Sequence, residues 1–381
     1  MNPEPRPPRV GFDASALPPH LTGAGNYIVQ LLRALHRLDL PLDFRVFCTP
    51  SGRQQIDLAE KTNFRCVTVP ALHPALRLLW EQTRLPRLAA QHRLDLLHSP
   101  HYTRPLRLPC RSVVTLHDMT FFLFPELHTL PKRYFFRRMI RFSARSADAL
   151  LTISESTRQD AMRMLGIAPE RIHTTLLAAL PEHQLVTDPG RRQAVRQRYN
   201  LPENFILYVG VLEPRKNLPA LFQAFARLRS RFPDYRLVIA GKPGWMVEQI
   251  NSQLEALQLG NAVHFTGYVQ AEDLPVVYNL ARVSVYPSLY EGFGLPVLES
   301  LACGTPVITT TVSSMPEVAG EAGLLVPPGD IPALEAALDR LLSDPAECER
   351  RSRLGLEHAK KFTWERTAQE TYQVYHRVLG V

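Results

Sequence analysis

Two carboxylates stand eight positions apart in the stretch SLYEGFGLPVLES, Glu291 and Glu299, around the turn Gly292-Phe293-Gly294-Leu295-Pro296. The run VSVYPS before them reads as a strand. Pro296 suits the first position of a helix, where its missing N–H leaves nothing unpaired. The amides of Gly292, Phe293, Gly294 and Leu295 would then form a helix mouth, and orphan N–H groups with the helix dipole favour an anion there. Glu299, about one turn further in, would repel a phosphate and is expected to reach past it to hydroxyl donors. A phosphate flanked by polyols describes a nucleotide-sugar. The plainer reading is a helix start whose acids complement the dipole.

Three more places carry chemistry. In YVGVLEPRKNLPALFQAF a strand ends at Gly210 and a helix starts near Asn217, with Glu213-Pro214-Arg215-Lys216 between. Adjacent cations at a helix start oppose the dipole. They make sense if an anion neutralises them, since Arg binds phosphate bidentately and Lys acts as a point charge; a solvated charged loop is the alternative. In FDASALPPHLTGAGNYIVQLLRAL a loop carrying Gly23-Ala24-Gly25-Asn26 leads into a helix, without the full G-x-G-x-x-G fingerprint. In VVTLHDMTFF, His117 and Asp118 end an apolar strand. No Asp-x-Asp, phosphate-loop or nucleophile-elbow motif occurs. Diphosphate charge is thus expected to fall to Arg215, Lys216 and helix mouths, with no metal and no other cofactor.

These residues need strands that end where they begin. Short apolar runs supply them at 9–13, 44–49, 64–69, 95–99, 112–118 and 149–154, then at 205–210, 236–241, 262–267, 283–288, 306–310 and 323–328. Amphipathic stretches such as 25–37, 131–146, 217–231 and 330–342 alternate with them. That grammar predicts an α/β protein with parallel sheets, and twelve strands divide most simply into two doubly wound Rossmann-like domains. The boundary is expected in the polar stretch 178–204, giving domains over 1–177 and 178–362. The last helix, 362–379, shows Trp364, Tyr372, Tyr375 and Val378 on one face. Ligands of such sheets bind at the carboxyl ends of the strands, so the site is expected in the cleft between the two domains.

The chain has 381 residues and a formal net charge of +8. Residues 1–180 hold 24 Lys and Arg against 14 Asp and Glu, which suggests an anionic partner, or only an arginine-rich composition. No nucleic-acid recognition motif is present, so nucleic acid is not expected as a partner. Five scattered cysteines without a Cys-x-x-Cys spacing fit a reducing compartment. The start MNPEPRPPRV has no apolar run, and a cytoplasmic protein is expected. In LPKRYFFRRMIRFSARSADA, Arg133, Arg137, Arg141 and Arg145 recur every four residues, with Phe135, Met139 and Phe142 on another face expected to pack inward. Such a helix suits the inner surface of an anionic membrane, or is a solvated face over an ordinary core.

Taken together, the two-acid turn, EPRKN, the Gly23–Asn26 loop, TLHD and ADALLTISESTRQD resemble glycosyltransferase family 4, nearly end to end. The resemblance implies the GT-B fold and a retaining transfer from a nucleoside-diphosphate sugar to a glycan or lipid-linked acceptor. It implies that Glu299 binds ribose, and that Glu291 binds the transferred sugar with the amides of Gly292 to Leu295. Arg215 and Lys216 would stabilise the leaving diphosphate. Gly23 and Gly25 would line the acceptor and phosphate side, His117 would contact the sugar, and the backbone at Tyr268 and Val269 would meet the base; Gly210 belongs to the same nucleotide-sugar set. The last helix would cross back to the first domain. The motifs look most like mannosyltransferases that use GDP-mannose. A GT-B enzyme of another kind, an epimerase or a sugar phosphorylase, is the alternative.

Overall fold

The computed structural model describes residues 6–18, 21, 23–59, 61–241 and 247–381. Among them, seven strands make one parallel sheet: β1 (Arg9–Asp13), β2 (Asp43–Cys48), β3 (Phe64–Thr68), β4 (Leu96–Ser99), β5 (Arg111–Leu116), β6 (Ala149–Thr152) and β7 (Ile172–Thr174), in the order β3-β2-β1-β4-β5-β6-β7. Six more make a second: β8 (Phe205–Val209), β9 (Arg236–Ala240), β10 (Val263–Gly267), β11 (Val283–Tyr286), β12 (Val307–Thr310) and β13 (Leu324–Val326), in the order β10-β9-β8-β11-β12-β13. Parallel sheets are covered on both faces, which demands near-continuous apolar strands. Val10, Phe12, Val46, Leu96, Val113 and Leu150 are accordingly buried in the first sheet, and Phe205, Leu207, Val238, Val285 and Ile308 in the second. Each such side chain contributes roughly 1.5–3 kcal/mol of transfer free energy.

The chain divides into two compact units, one running to Leu177 and including Thr363–Val381, the other Ala178–Phe362. In each sheet the strand order reverses once, between β1 and β4 and between β8 and β11. Loops leaving the carboxyl ends of strands at such a reversal part from one another and leave a crevice.

Several expectations need correction. β7 was not expected: with only Ile-His-Thr, it carries no apolar run. The segment 178–204 is not all connection, because Pro189–Arg198 is a helix whose N-cap, Asp188, accepts from the Arg191 amide at 2.8 Å. Gly23-Ala24-Gly25-Asn26 is not a loop but the first turn of the helix Gly23–Arg37. In the last helix, Trp364–Leu379, the buried face is Trp364, Thr367, Ala368, Thr371, Val374, Tyr375 and Val378, while Tyr372 is only half-buried. This helix packs on Gly23–Arg37, β5 and β6. A buried polar chain anchors it to the sheet: His98 Nδ1 meets the Tyr375 hydroxyl at 2.5 Å and its Nε2 meets Thr115 Oγ1 at 2.8 Å.

Candidate active site

Because β11 pairs with β8, the loops leaving these strands are neighbours although about 75 residues separate them in sequence. The Leu289 amide donates to the Arg215 carbonyl at 2.8 Å and ties them together. Pro214–Lys216 is a single 3₁₀ turn, closed by Asn217 at φ 53°. Lys216 Nζ lies 2.6 Å from Glu291 Oε1 and also donates to the Tyr286 hydroxyl. Arg215 Nη1 lies 2.7 Å from Glu291 Oε2, and its Nε donates to Glu213 at 3.0 Å. The Ser288 hydroxyl adds a bond to Glu291 Oε1 at 2.6 Å. The idea that the two cations await an outside anion is therefore corrected: Glu291 and Glu213 already neutralise them. Burial pushes the Glu291 carboxyl up, and Lys216 and Arg215 pull it further down, to about 2. Burial lowers Lys216, and Glu291 opposes that. Arg215 Nη2 keeps no partner among the described residues.

The turn after Glu291 is shaped by its glycine. Gly294 caps the helix Leu295–Ala302 at φ 99°, a region that L side chains avoid, and a Cβ there would lie 2.2 Å from Met315 Cε. Ser313 accepts from the Glu291 amide at 3.0 Å, and Ser314 donates to the Phe293 carbonyl at 2.7 Å, so the turn is held from the loop after β12. The N–H groups of Phe293, Gly294 and Leu295 have no acceptor among the described residues. They are the unpaired amides of a helix N-terminus, beside Gly292. Glu299, in the second turn of this helix, is 9% exposed. Its Oε2 accepts from the Tyr278 hydroxyl at 3.1 Å, and its Oε1 has no partner among the described residues. Burial raises Tyr278 well above its ordinary value and Glu299 adds to that, so the phenol stays a donor.

The other expected residues of this unit are placed differently. The Gly210 amide is committed to the Ala240 carbonyl at 2.9 Å. Its φ of 153° is one that L side chains rarely adopt, and a Cβ there would lie 2.9 Å from the Tyr208 hydroxyl oxygen. Tyr268 is exposed just beyond β10, whereas the Val269 side chain is in the core, leaving only its backbone for a ligand.

In the first unit, His117 follows β5 and is 8% exposed. Nε2 sits 2.7 Å from the Pro100 carbonyl, an acceptor only, so Nε2 carries the proton and neutral Nδ1 remains an acceptor. Burial holds the imidazole below its ordinary pKa. The rings of Tyr27, His101 and Tyr102 pack around it. Gly25 is buried and tightly packed: a Cβ would lie 3.1 Å from Leu21 Cδ2. Gly23 is exposed, with φ 27°.

Several partners escaped the sequence reading. Tyr286, Ser288, Tyr278, Ser313 and Ser314 are ordinary strand, helix and loop residues until the loops meet. At the carboxyl end of β1, Asp13 Oδ2 is 2.7 Å from Arg77, whose other nitrogen is 2.7 Å from Glu81. Burial pushes Glu81 up to about 7. The spacing of Arg77 and Glu81, one helical turn, was its only available signal. Among the described residues no three His, Cys, Asp or Glu side chains gather as a metal-binding set.

Comparison with known proteins follows the same outline. Residues 21–175 match the family model described as Glycosyltransferase Family 4, and residues 191–361 that described as Glycosyl transferases group 1. O-antigen chain mannosyltransferase B of Escherichia coli is 35% identical over 370 residues, 93% of this chain and 96% of that protein. The MMP alpha-(1->4)-mannosyltransferase of Mycolicibacterium hassiacum is 32% identical over 252 residues, 65% of this chain and 58% of that one. Sucrose-phosphate synthase from Thermosynechococcus elongatus shares the fold with a TM-score of 0.75 at 22% identity, covering 98% of this chain and 99% of its own. WaaG, a glycosyltransferase involved in lipopolysaccharide biosynthesis, gives 0.73 at 17% identity, covering 96% and 99%. The two doubly wound sheets and these relatives define a glycosyltransferase of the GT-B fold. The chain belongs to glycosyltransferase family 4.

Proposed function

We propose that the protein is a retaining, metal-independent mannosyltransferase that takes mannose from GDP-mannose and passes it to a glycan or lipid-linked acceptor during polysaccharide biosynthesis. The observation that carries the donor is the identity with O-antigen chain mannosyltransferase B over nearly the whole chain. The geometry suits the chemistry. The free amides of Phe293, Gly294 and Leu295 take the diphosphate, Glu299 Oε1 takes a ribose hydroxyl, and backbone at Tyr268 and Val269 meets the base. Glu291 Oε1 is filled by Lys216 and Ser288, but Oε2 accepts only from Arg215, so a lone pair remains for a sugar hydroxyl. We assign His117 Nδ1 to sugar hydroxyls, and the helix entry at Gly23 and Gly25 to the acceptor and phosphate side. When the bond from the anomeric carbon to the diphosphate breaks, its electron pair passes to the phosphate oxygen, where Lys216 and Arg215 Nη2 stabilise it. The acceptor hydroxyl attacks from the same face and gives its proton to the departing phosphate.

A screen of nucleotide-sugars by thermal shift tests the donor, because a ligand that binds only the folded state raises the melting temperature. GDP-mannose should stabilise most and support transfer with the anomeric configuration kept. Stabilisation by UDP-sugars alone, or an inverted product, overturns the reading.

A membrane-proximal acceptor is favoured by the helix Leu130–Ser146, and with it a cytoplasmic protein resting on the inner face of the membrane. Its arginines share a groove of about 1070 Å³ with Leu130, Tyr134 and Phe142, and among the described residues no acid lines it. The inward face is Met139, Ile140, Ser143 and Ala144, with Phe135 and Phe142 only half-buried, which corrects the expected packing. Arg137 and Arg141 lie over the Phe122 ring at 5.3 and 4.9 Å. Among the described residues no helix is long and apolar enough to cross a membrane.

A further inference from the structure

His183 is buried, with its side chain 2% exposed, and neither ring nitrogen has a hydrogen-bond partner among the described residues. One of those nitrogens always carries a proton, and a buried donor without an acceptor is destabilising. Packing does not explain the choice. The ring lies edge-on to Tyr278, centroids 6.1 Å apart, where a phenyl group would make the same contact without buried polar atoms. What an imidazole adds is polarity aimed at Glu299, whose Oε2 is 3.8 Å from Nε2.

The chain around His183 is built to hold it there. The His183 amide closes a turn onto the Leu180 carbonyl at 2.9 Å. Asn279 then staples the segment to the helix Leu274–Leu280: its Nδ2 donates to the Gln184 carbonyl at 3.1 Å and its Oδ1 accepts from the Val186 amide at 2.7 Å. Asn279 follows directly on Tyr278, the other group at Glu299 Oε2. That oxygen has two lone pairs and is using one, for Tyr278.

We infer that His183 is a positioning residue for Glu299: when a nucleoside diphosphate engages Glu299, Nε2 closes onto Oε2, so that Tyr278 and His183 together fix one oxygen and aim the other, Oε1, at the ribose diol. The inference rests on the reading that Glu299 binds ribose. The gap of 3.8 Å must shorten by about 1 Å to reach hydrogen-bond length. A rotation of the Glu299 side chain, or a small shift of the 180–186 segment, supplies that. His183 does not touch the ligand; it acts through the carboxylate.

The test compares a ribonucleotide with its analogue lacking both ribose hydroxyls, GDP against 2′,3′-dideoxy-GDP (or the UDP pair, if UDP binds more tightly), by calorimetry on the full chain. His183→Phe keeps the packing and removes the polar atoms. It should weaken the ribonucleotide roughly tenfold, about 1.4 kcal/mol, and leave the dideoxy analogue unchanged. His183→Gln, which can place an amide N–H near the position of Nε2, should restore most of the loss. A purely structural histidine would give equal losses for both nucleotides, or no loss, and either result overturns the proposal. Equal affinity of His183→Gln and His183→Phe does so as well. If His183→Phe does not fold, His183→Leu, which also lacks the polar atoms, takes its place in the same comparison with His183→Gln, with the same outcomes for and against. Glu299→Gln separates the layers. If it too spares the ribose preference, the ribose assignment of Glu299 has failed; if it abolishes that preference while His183→Phe does not, only the role of His183 has.

Discussion

Replacing Glu291 by glutamine removes one charge and almost no volume. Glu291 is 7% exposed and faces Lys216 at 2.6 Å and Arg215 at 2.7 Å. Burial works against its charge, and the two cations overcome burial, bringing the carboxyl from 4.5 to about 2. At 1.36 kcal/mol for each pH unit, the folded state gains about 3 kcal/mol from this ionised group at neutral pH. The sign follows from the depression: the contribution is fully present above pH 4.5 and is lost as pH falls toward 2. Linkage leaves about 2 kcal/mol of it at pH 3.5. Glu291→Gln should therefore destabilise the second unit by about 3 kcal/mol at pH 7, or roughly 6–12 °C in melting temperature for a domain of this size. Urea titrations of both proteins at pH 7 and pH 3.5 should show the gap narrowing by about 1 kcal/mol in acid. A variant as stable as the parent at pH 7, or a gap that does not shrink on acidification, refutes the picture of a carboxylate held ionised between two cations.

Other outcomes follow from the same site. Glu291→Gln should bind free nucleoside diphosphate at least as tightly as the parent while turnover falls, because a counter-charge to Lys216 and Arg215 is gone; calorimetry showing weaker binding would count against it. Lys216→Ala should lower kcat more than it raises the donor KM, as expected for an interaction that strengthens while charge develops on the leaving oxygen; near-normal kcat in steady-state kinetics would remove Lys216 from the mechanism. Transfer should survive EDTA, and loss on chelation restored by Mg²⁺ or Mn²⁺ would show that a metal shares the diphosphate. Arg138→Glu with Arg145→Glu, two exposed arginines of the basic groove, should abolish flotation with anionic vesicles at low salt, each cation near such a surface contributing about 1 kcal/mol; unchanged flotation would exclude this groove as the contact.

Much of the fold was legible because parallel strands must be apolar along their whole length. Runs such as FILYV and RSVVTL show this, and turn residues mark where they stop. Ile172–Thr174 escaped because a three-residue strand needs no such run. At the site, residues constrained by their own backbone were readable: Gly294 by its left-handed conformation, Pro296 by its place in the first helical turn. Arg215 and Lys216 were readable as an anomaly, two cations where the dipole disfavours them. Their counter-charge was not, since Glu291 reaches them only through the pairing of β8 with β11, a fact of strand order. His183 gave no signal, because nothing in LPEHQ states that its ring is buried or what it faces.

That unread pairing changes how the site should be understood. Two cations left bare would bind any diphosphate strongly, the product included, and tight ground-state binding does nothing for the chemical step. Glu291 and Glu213 together cancel their net charge without using all their donors, since Arg215 Nη2 has no partner among the described residues. Glu291 also holds Lys216 in a fixed place against the Tyr286 ring, 4.9 Å from Nζ to its centre. On the proposed mechanism, such donors need no rearrangement when negative charge develops on the leaving oxygen, which is the condition under which preorganised electrostatics accelerate a reaction most. The carboxylate that first looked like a sugar ligand is thus also the group that tunes the two cations. This double role explains why removing it should strengthen product binding and weaken catalysis together.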